Sequence, residues 1–244
     1  MRLILNPCTD PFFNLAAEEV LLDTASEPIC MLWRNEKAVV VGKNQDVLSE
    51  IDRDYVEAHG IRVVRRMTGG GAVYHDLGNI NYTLIEPDAG QFENYAHFTK
   101  DLIDFLATLG VKAEFLGRND VLVDGKKICG NAQCVLGGRV LHHGCVLFDA
   151  DLTALAKALK PDPEKLRRKG IASVRARVTN IRAHMPHDMR GEDFLEAFAG
   201  FMKERRGCEE RALTEEEQDE IRRLAEAKYA TREWTYGASP DWEQ

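Results

Sequence analysis

Short apolar runs in the first two thirds of the chain predict the strands of a buried β-sheet. They cover Ile29 to Trp33, Ala38 to Gly42 and Ile61 to Arg65. Asn79 to Ile85 alternates instead, which places every second side chain on one face of a strand. Arg139 to Phe148 is predicted to form a further strand.

A tight turn separates two more predicted strands. Val121 to Val123 and Lys126 to Ile128 flank Asp124-Gly125, and an Asp-Gly pair favours the positive φ angles of a two-residue hairpin turn. We therefore predict a β-hairpin at this point. If Ile128 faces the core, strand alternation places Lys127 and Cys129 on the opposite face.

Helical periodicity appears between the strands and dominates the last third of the chain. One helix is predicted between Asp10-Pro11 and Thr24, and the others are Phe92 to Leu109, Asp151 to Leu159, Glu192 to Arg206 and Thr214 to Ala230. The last of them opens with a capping box formed by Thr214 and Glu217. Helices interspersed with strands and hairpins predict an α+β fold with a mixed β-sheet and flanking helices.

Composition and charge narrow the class of protein. The chain has 244 residues, 44% of them hydrophobic, which is enough for a well-buried core. A net charge of −8 argues against a general nucleic-acid binder. No apolar run approaches the roughly 20 residues that span a bilayer, and the first residues lack a signal-peptide pattern. These features predict a cytoplasmic protein.

The six cysteines lack C-x-x-C spacing and are predicted to be free thiols in a reducing compartment. Cys129, Cys134, His142, His143 and Cys145 lie close together in the sequence. Their spacing fits no common zinc pattern, so buried thiols are the favoured interpretation.

A strand that leads into two arginines and three glycines is the most informative segment. Gly69 to Gly71 free the backbone for positive φ angles and let a ligand approach the N–H groups closely. The guanidinium groups of Arg65 and Arg66 are able to hold a phosphate or carboxylate through paired hydrogen bonds. The segment fits neither the dinucleotide-binding nor the P-loop pattern. It predicts either a loop for an anionic ligand or a flexible hairpin tip.

These segments resemble the lipoate–protein ligase family, and the resemblance spans nearly the whole chain. The matching motifs, in the order and spacing of the family, are DPFFNLA from Asp10, LWRN from Leu32, RRMTGGGAVYHDLGN from Arg65, GRND from Gly117, DGKKICGNAQ from Asp124, HHGCVLFDADL from His142 and KGIASVRARVTNI from Lys169. The resemblance implies a mixed-sheet α+β fold similar to that of biotin ligases.

The resemblance also implies an activity and a set of site residues. The activity is the ATP-dependent activation of lipoate to lipoyl-AMP, with Mg²⁺, followed by lipoyl transfer to an acceptor lysine. Lys127 matches the essential lysine of the family, which contacts both the lipoyl carbonyl and the phosphate. The implied lipoate- and ATP-binding residues are Arg66, Gly69, Gly70, Gly71, Ala72, Val73, Tyr74, His75, Asn119, Asp120, Lys127, Ala132, His143, Lys169, Gly170, Val174 and Arg175.

The segment from Lys169 to Asn180 matches a mobile loop that closes over the adenylate in this family. It lies within a basic stretch, because Lys165 to Arg182 contains seven Lys or Arg residues and no acidic residue. Such a positive patch in an acidic protein is suited to covering a nucleotide or attracting an acidic acceptor.

The end of the sequence differs from that of many family members, which continue into a small accessory domain after a segment like Glu233 to Gly237. We therefore expect a single catalytic domain over residues 1–244, with the accessory domain absent or supplied by a separate subunit. The implied acceptor is a lipoyl-domain protein, of the 2-oxoacid dehydrogenase E2 or glycine cleavage H protein type. Neither nucleic acid nor membrane is an expected partner.

Two alternatives belong to other functional classes. An octanoyl or lipoyl transferase of the same fold would use a cysteine thioester and no ATP, with Cys129, Cys134 and Cys145 as candidate nucleophiles. A non-catalytic lipoate-binding protein would not need Lys127. The GGG triplet followed by HDLGN favours the ligase.

Overall fold

Two β-sheets with helices around them make up the structure, a computed structural model that describes residues 1–160, 177–237 and 239. The strands are β1 (Arg2–Leu5), β2 (Ile29–Trp33), β3 (Ala38–Val41), β4 (Arg62–Arg65), β5 (Val73–His75), β6 (Asn79–Pro87), β7 (Glu114–Leu116), β8 (Asp120–Val123), β9 (Lys126–Leu136), β10 (Arg139–Leu147) and β11 (Glu209–Glu210). Eight strands form a mixed sheet in the order β11-β1-β2-β6-β10-β9-β8-β7. The other three form a small sheet in the order β4-β3-β5.

Helices flank both sheets. They are α1 (Pro11–Thr24), α2 (Val47–Glu50), α3 (Arg53–Ala58), α4 (Tyr95–Thr108), α5 (Leu152–Ala158), α6 (Gly191–Arg206), α7 (Glu215–Leu224) and α8 (Arg232–Tyr236), with a 3-10 turn at Ile181–His184 and a π-helical segment at Ala225–Tyr229. This arrangement confirms the predicted α+β fold with a mixed sheet. Within the described ranges, no helix is long and apolar enough to cross a bilayer.

The helix boundaries follow local chemistry. Asp10 caps α1 by accepting hydrogen bonds from the N–H groups of Phe12 and Phe13, and the predicted capping box of Thr214 and Glu217 opens α7. The predicted helix from Phe92 starts later, at Tyr95, because Glu93 has a φ of 66° that no α-helix accommodates.

Both faces of the large sheet are buried. One face packs against α4 and α6, where Phe98, Phe105, Phe194 and Phe198 form an aromatic cluster. The other face packs against α1, and α7 contacts α1 in turn. Because β6 lies in the middle of this sheet, its residues from Asn79 to Ile85 are buried on both faces rather than on one.

The predicted hairpin is present, and its turn residues Asp124 and Gly125 have φ angles of 49° and 72°. The predicted alternation beyond the turn is wrong, however. A bulge shifts the β8–β9 register, so that Val121 pairs with Cys129 while Leu122 pairs with Lys127. The extra residue rotates the following strand, and both Ile128 and Cys129 therefore lie in the aromatic core cluster.

Candidate active site

A cavity of about 660 Å³ lies between the large sheet and the loop that joins β4 to β5. One row of paired residues crosses its floor on five strands: Trp33 pairs with Asn81, Asn81 with Cys145, Cys145 with Gly130, and Gly130 with Asp120. All five line the cavity. With strands about 4.8 Å apart, this floor row is roughly 19 Å long.

The Asp120 end of the floor row is charged. Asp120 accepts an ion pair from Lys127 Nζ at 2.7 Å and a second one from Arg177. Burial alone would raise the pKa of Asp120, but the two cations outweigh burial and hold that pKa below its ordinary value. Lys127, Arg177 and Asp120 together therefore give this end of the cavity a net positive charge.

Gly130 makes room for the lysine. A Cβ atom at this position would lie 2.4 Å from Lys127 Nζ, closer than any real contact. The side chain of Lys127 therefore crosses β9 over Gly130 and places its ammonium group on the cavity floor. Thr179 N–H donates to the carbonyl of Lys127, so the described end of the basic segment adjoins the same lysine.

The two arginines before the glycines have different roles, and Arg65, which the sequence offered as a possible anion ligand, instead binds backbone carbonyls. Its buried guanidinium donates to the carbonyls of Gly42, Lys43, Gln45, Trp234 and Thr235. Sequence reasoning missed this role because the C-terminal carbonyl partners lie about 170 residues further along the chain.

Arg66 lines the cavity and holds the glycine loop, residues 69–71. Its Nη2 donates to the carbonyls of Gly69 and Gly71, and Nη1 donates to Val40. Among the residues that the structure describes, no carboxylate lies within ion-pair distance of its guanidinium. Burial lowers the pKa of Arg66 to about 10, although Glu18 acts in the opposite direction. A buried cation without a carboxylate partner favours an anionic ligand.

A chain of hydrogen bonds fixes the orientation of Arg66. Its Nε donates to Thr68 Oγ1, which is 2.8 Å from His143 Nε2. His143 Nδ1 lies 2.9 Å from Glu18 Oε1, and the buried Glu18 also accepts a hydrogen bond from Thr83. The loop is thereby anchored to α1 and to the large sheet.

The cavity collects most of the residues implied by the resemblance. Those lining it are Arg66, Gly69, Gly70, Gly71, Ala72, Val73, His75, Asn119, Asp120, Lys127, Ala132 and His143. Tyr74 is the exception, since its side chain packs in the core around the small sheet. Lys169, Gly170, Val174 and Arg175 lie outside the described residues.

Several cavity residues were missed by sequence reasoning, among them Trp33, Asn81 and Gly130. They come from three strands, and only the pairing register brings them together. A glycine in the middle of β9 was the one available signal, since glycine in a strand marks a close approach.

The cysteine and histidine group near β10 is divided between different environments. His142 stacks on Phe98 at 4.9 Å, Cys129 lies in the aromatic core, and only His143 and Cys145 line the cavity. Within residues 1–160, 177–237 and 239, no three His, Cys, Asp or Glu side chains are grouped to hold a metal ion.

The chain is similar to known lipoate ligases in sequence. The sequence profile of the lipoyl protein ligase A/B catalytic domain matches residues 10–203. The chain is 40% identical over 240 residues to lipoate–protein ligase 1 of Staphylococcus aureus, a match that covers 97% of this chain and 73% of that protein.

Solved structures of such proteins resemble this fold. A bipartite lipoate protein ligase from Thermoplasma acidophilum, studied with its E2 lipoyl domain, has a TM-score of 0.85 and 31% identity, covering 98% of this chain and 97% of that one. A putative lipoate protein ligase from T. acidophilum with bound lipoic acid has a TM-score of 0.81 and 28% identity, with 97% and 98% coverage. A lipoate-protein ligase A bound with ATP has a TM-score of 0.82 and 28% identity, with 97% and 98% coverage.

Proposed function

Since the chain belongs to the family of lipoyl protein ligase A/B catalytic domains and is a lipoate–protein ligase, we propose that it works through lipoyl-AMP. The observation that carries this proposal is the floor row. It joins a pocket bounded by Trp33 to a charged end at Lys127, Asp120 and Arg177. An acid with an uncharged tail fits this arrangement of charge, with its carboxylate at Lys127.

The first step joins the acid to AMP. A carboxylate oxygen of lipoate attacks the α-phosphorus of ATP, the bond to the β-phosphate oxygen breaks, and pyrophosphate leaves with its electron pair. Lys127 presents a point-like ammonium to the carboxylate and the α-phosphate, where negative charge develops as they join. The relatives solved with lipoic acid and with ATP support both substrates.

The second step transfers the acyl group. The neutral amine of an acceptor lysine attacks the lipoyl carbonyl, an amide bond forms as the amine loses a proton to solvent, and the C–O bond to phosphate breaks so that AMP leaves as the phosphate anion. The mixed anhydride is already activated toward an amine, so this step needs no protein nucleophile. Lys127 would then stabilise the carbonyl oxygen as it gains charge.

Mg²⁺ enters this reaction with ATP, as part of the substrate. Such an ion is commonly held by one or two carboxylates together with substrate phosphates. Asp120 is the half-buried carboxylate at the charged end of the cavity, although Lys127 and Arg177 already pair with it. We therefore assign the ion mainly to the phosphates of ATP.

The acceptor we propose is a lipoyl-domain protein, of the 2-oxoacid dehydrogenase E2 or glycine cleavage H protein type. The relative studied with its E2 lipoyl domain supports this assignment. We further propose that residues 1–244 act as one catalytic domain in the cytoplasm. The six cysteines, all within the described ranges, are free thiols, which fits a reducing compartment.

A direct assay tests the proposed intermediate. The purified chain, given Mg-ATP and lipoate, should release pyrophosphate and accumulate lipoyl-AMP when no acceptor is present. Chromatography and pyrophosphate detection would follow the two products. Lipoylation of an acceptor domain without any ATP consumption would contradict the proposal.

The thiols near the site separate ligase from transferase. Burial raises the pKa of Cys145 and of Cys134 to about 12 and holds that of Cys129 well above its ordinary value, so none is a ready thiolate nucleophile. We expect the combined Cys129→Ala, Cys134→Ala, Cys145→Ala variant to keep ATP-dependent transfer within about tenfold of the parent rate. Mass spectrometry of the parent chain during turnover would show whether any of these cysteines carries an acyl group. An acyl thioester trapped on any of these residues would overturn the ligase assignment.

A further inference from the structure

Two buried polar side chains in the cavity have no hydrogen-bond partner for some of their atoms. They are Asn81, whose Nδ2 and Oδ1 are both unpartnered, and His75, whose Nε2 is unpartnered within the described part of the chain. Their exposed fractions are only 1% and 3%, and both line the cavity. Buried polar groups nearly always have a hydrogen-bond partner, so these two side chains indicate that a ligand supplies polar atoms to them.

His75 presents a hydrogen-bond donor to the cavity. Asn35 Nδ2 is 3.0 Å from His75 Nδ1, and an amide nitrogen only donates, so Nδ1 is the acceptor and Nε2 carries the proton. Burial, followed by the charges of Arg66 and His143, lowers the pKa of His75 to about 3. The ring is therefore neutral at physiological pH, with its Nε2–H free.

Both groups lie toward the Trp33 end of the floor row. Asn81 is paired with Trp33 directly, and the ring centroids of His75 and Trp33 are 6.2 Å apart. From Gly130, beneath the ammonium of Lys127, the row reaches Asn81 after two strand spacings, which is about 10 Å.

The length of lipoate matches this separation. With C–C bonds of about 1.5 Å, the extended acid places its ring sulfurs roughly 8 to 9 Å from the carboxyl carbon. A carboxylate at Lys127 therefore places the dithiolane ring over Asn81, with Trp33 one strand further along the row.

From this geometry we infer that Asn81 and His75 donate N–H groups to the dithiolane sulfurs and so make the site prefer lipoate to octanoate. The inference rests on the proposed function and names the residues that choose its substrate. Divalent sulfur is a weak acceptor, but it is an acceptor, whereas the end of an alkyl chain offers none. Octanoate would leave two buried donors unpaired, and a site built on hydrogen bonds rejects a ligand that cannot make them.

A shape-matched acid separates sulfur recognition from size. Cyclopentyl-pentanoate keeps the ring and chain of lipoate but replaces both sulfurs with methylene groups. We expect the wild-type chain to favour lipoate over this acid, and over octanoate, by about tenfold or more in kcat/KM for pyrophosphate release. In Asn81→Leu, which removes the amide, the preference should fall to within about threefold.

Cys145→Ala is the matched control. Cys145 lies in the same floor row one strand nearer to Lys127, where all three acids present the same methylene groups. The Cys145→Ala variant should change the turnover of all three acids by the same factor and leave the preference for lipoate unchanged. Asn81→Ala adds no volume to the cavity and repeats the test if the leucine variant does not fold.

The outcomes distinguish this inference from the proposed function. If the wild-type chain has equal kcat/KM for lipoate and cyclopentyl-pentanoate, the inference is wrong and no variant is needed to show it. The proposed ligase activity is unaffected by that result. A preference that survives both Asn81 variants overturns the inference too. No pyrophosphate release with any acid overturns the proposed function and this inference with it.

Discussion

Lys127→Ala is expected to lower the rate of lipoyl transfer at least a hundredfold while leaving the folded structure intact. The ammonium group would supply several kcal/mol of charge stabilisation at the reacting carboxylate and phosphate, and each 1.4 kcal/mol corresponds to about tenfold in rate. The fold should survive because Asp120 keeps its ion pair with Arg177. Single-turnover formation of lipoyl-AMP, with circular dichroism for folding, measures both effects.

Two further variants test the position of this lysine. Lys126→Ala removes the neighbouring exposed lysine and should be nearly neutral. Gly130→Ala keeps Lys127 but places a Cβ against its Nζ, so the ammonium must move and the rate should fall. Near-normal turnover by well-folded Lys127→Ala would remove this residue from the mechanism.

The second large effect concerns the glycine loop, where Gly71→Val should weaken lipoyl-AMP binding at least a hundredfold. The backbone at Gly71 has no positive φ, and a Cβ there meets no atom within 4 Å, so valine fits the unliganded loop. Its methyl groups would instead occupy cavity space where a ligand approaches the backbone. Isothermal titration calorimetry gives the affinity, and Tm should change little.

The Gly70→Val variant serves as a comparison with Gly71→Val, because valine at position 70 also disturbs the unliganded loop. Gly70 has a φ of +100°, and a Cβ would lie 2.9 Å from Arg66 Nη2, so Gly70→Val should lower both affinity and Tm. Gly71→Ala, with a single methyl group, should fall between the parent chain and Gly71→Val. Normal binding by Gly71→Val would show that the glycine loop is only a structural turn.

What the sequence predicted correctly was governed by neighbouring residues. The turn at Asp124-Gly125 and the capping box of Thr214 and Glu217 form because residues within a few positions satisfy one another. Lys127 and the glycine loop were singled out by the family resemblance instead, and the structure places both around one cavity, while their roles stay a prediction.

What the sequence could not predict depends on distant pairing. The bulge that turns Cys129 into the core depends on how β8 meets β9, and periodicity assumes that no residue is extra. Asn81 lies in an alternating strand, and alternation alone does not tell what covers its side of the strand; in the structure Asn81 is buried, because the large sheet is covered on both faces. Strand order and register bring Trp33, Asn81 and Asp120 into one row, and neither follows from composition.

The attachment of Arg65 also bears on when the site becomes complete during synthesis. The carbonyls of Trp234 and Thr235 accept from its guanidinium, and the Trp234 indole donates back to the Arg65 carbonyl. A growing chain on the ribosome makes the β4 strand long before these partners exist, and domains assemble as the chain emerges. Until the α8 segment docks, Arg65 lacks these C-terminal acceptors. We therefore expect the glycine loop beside it to be among the last parts of the site to become rigid, only after the α8 segment has emerged and docked.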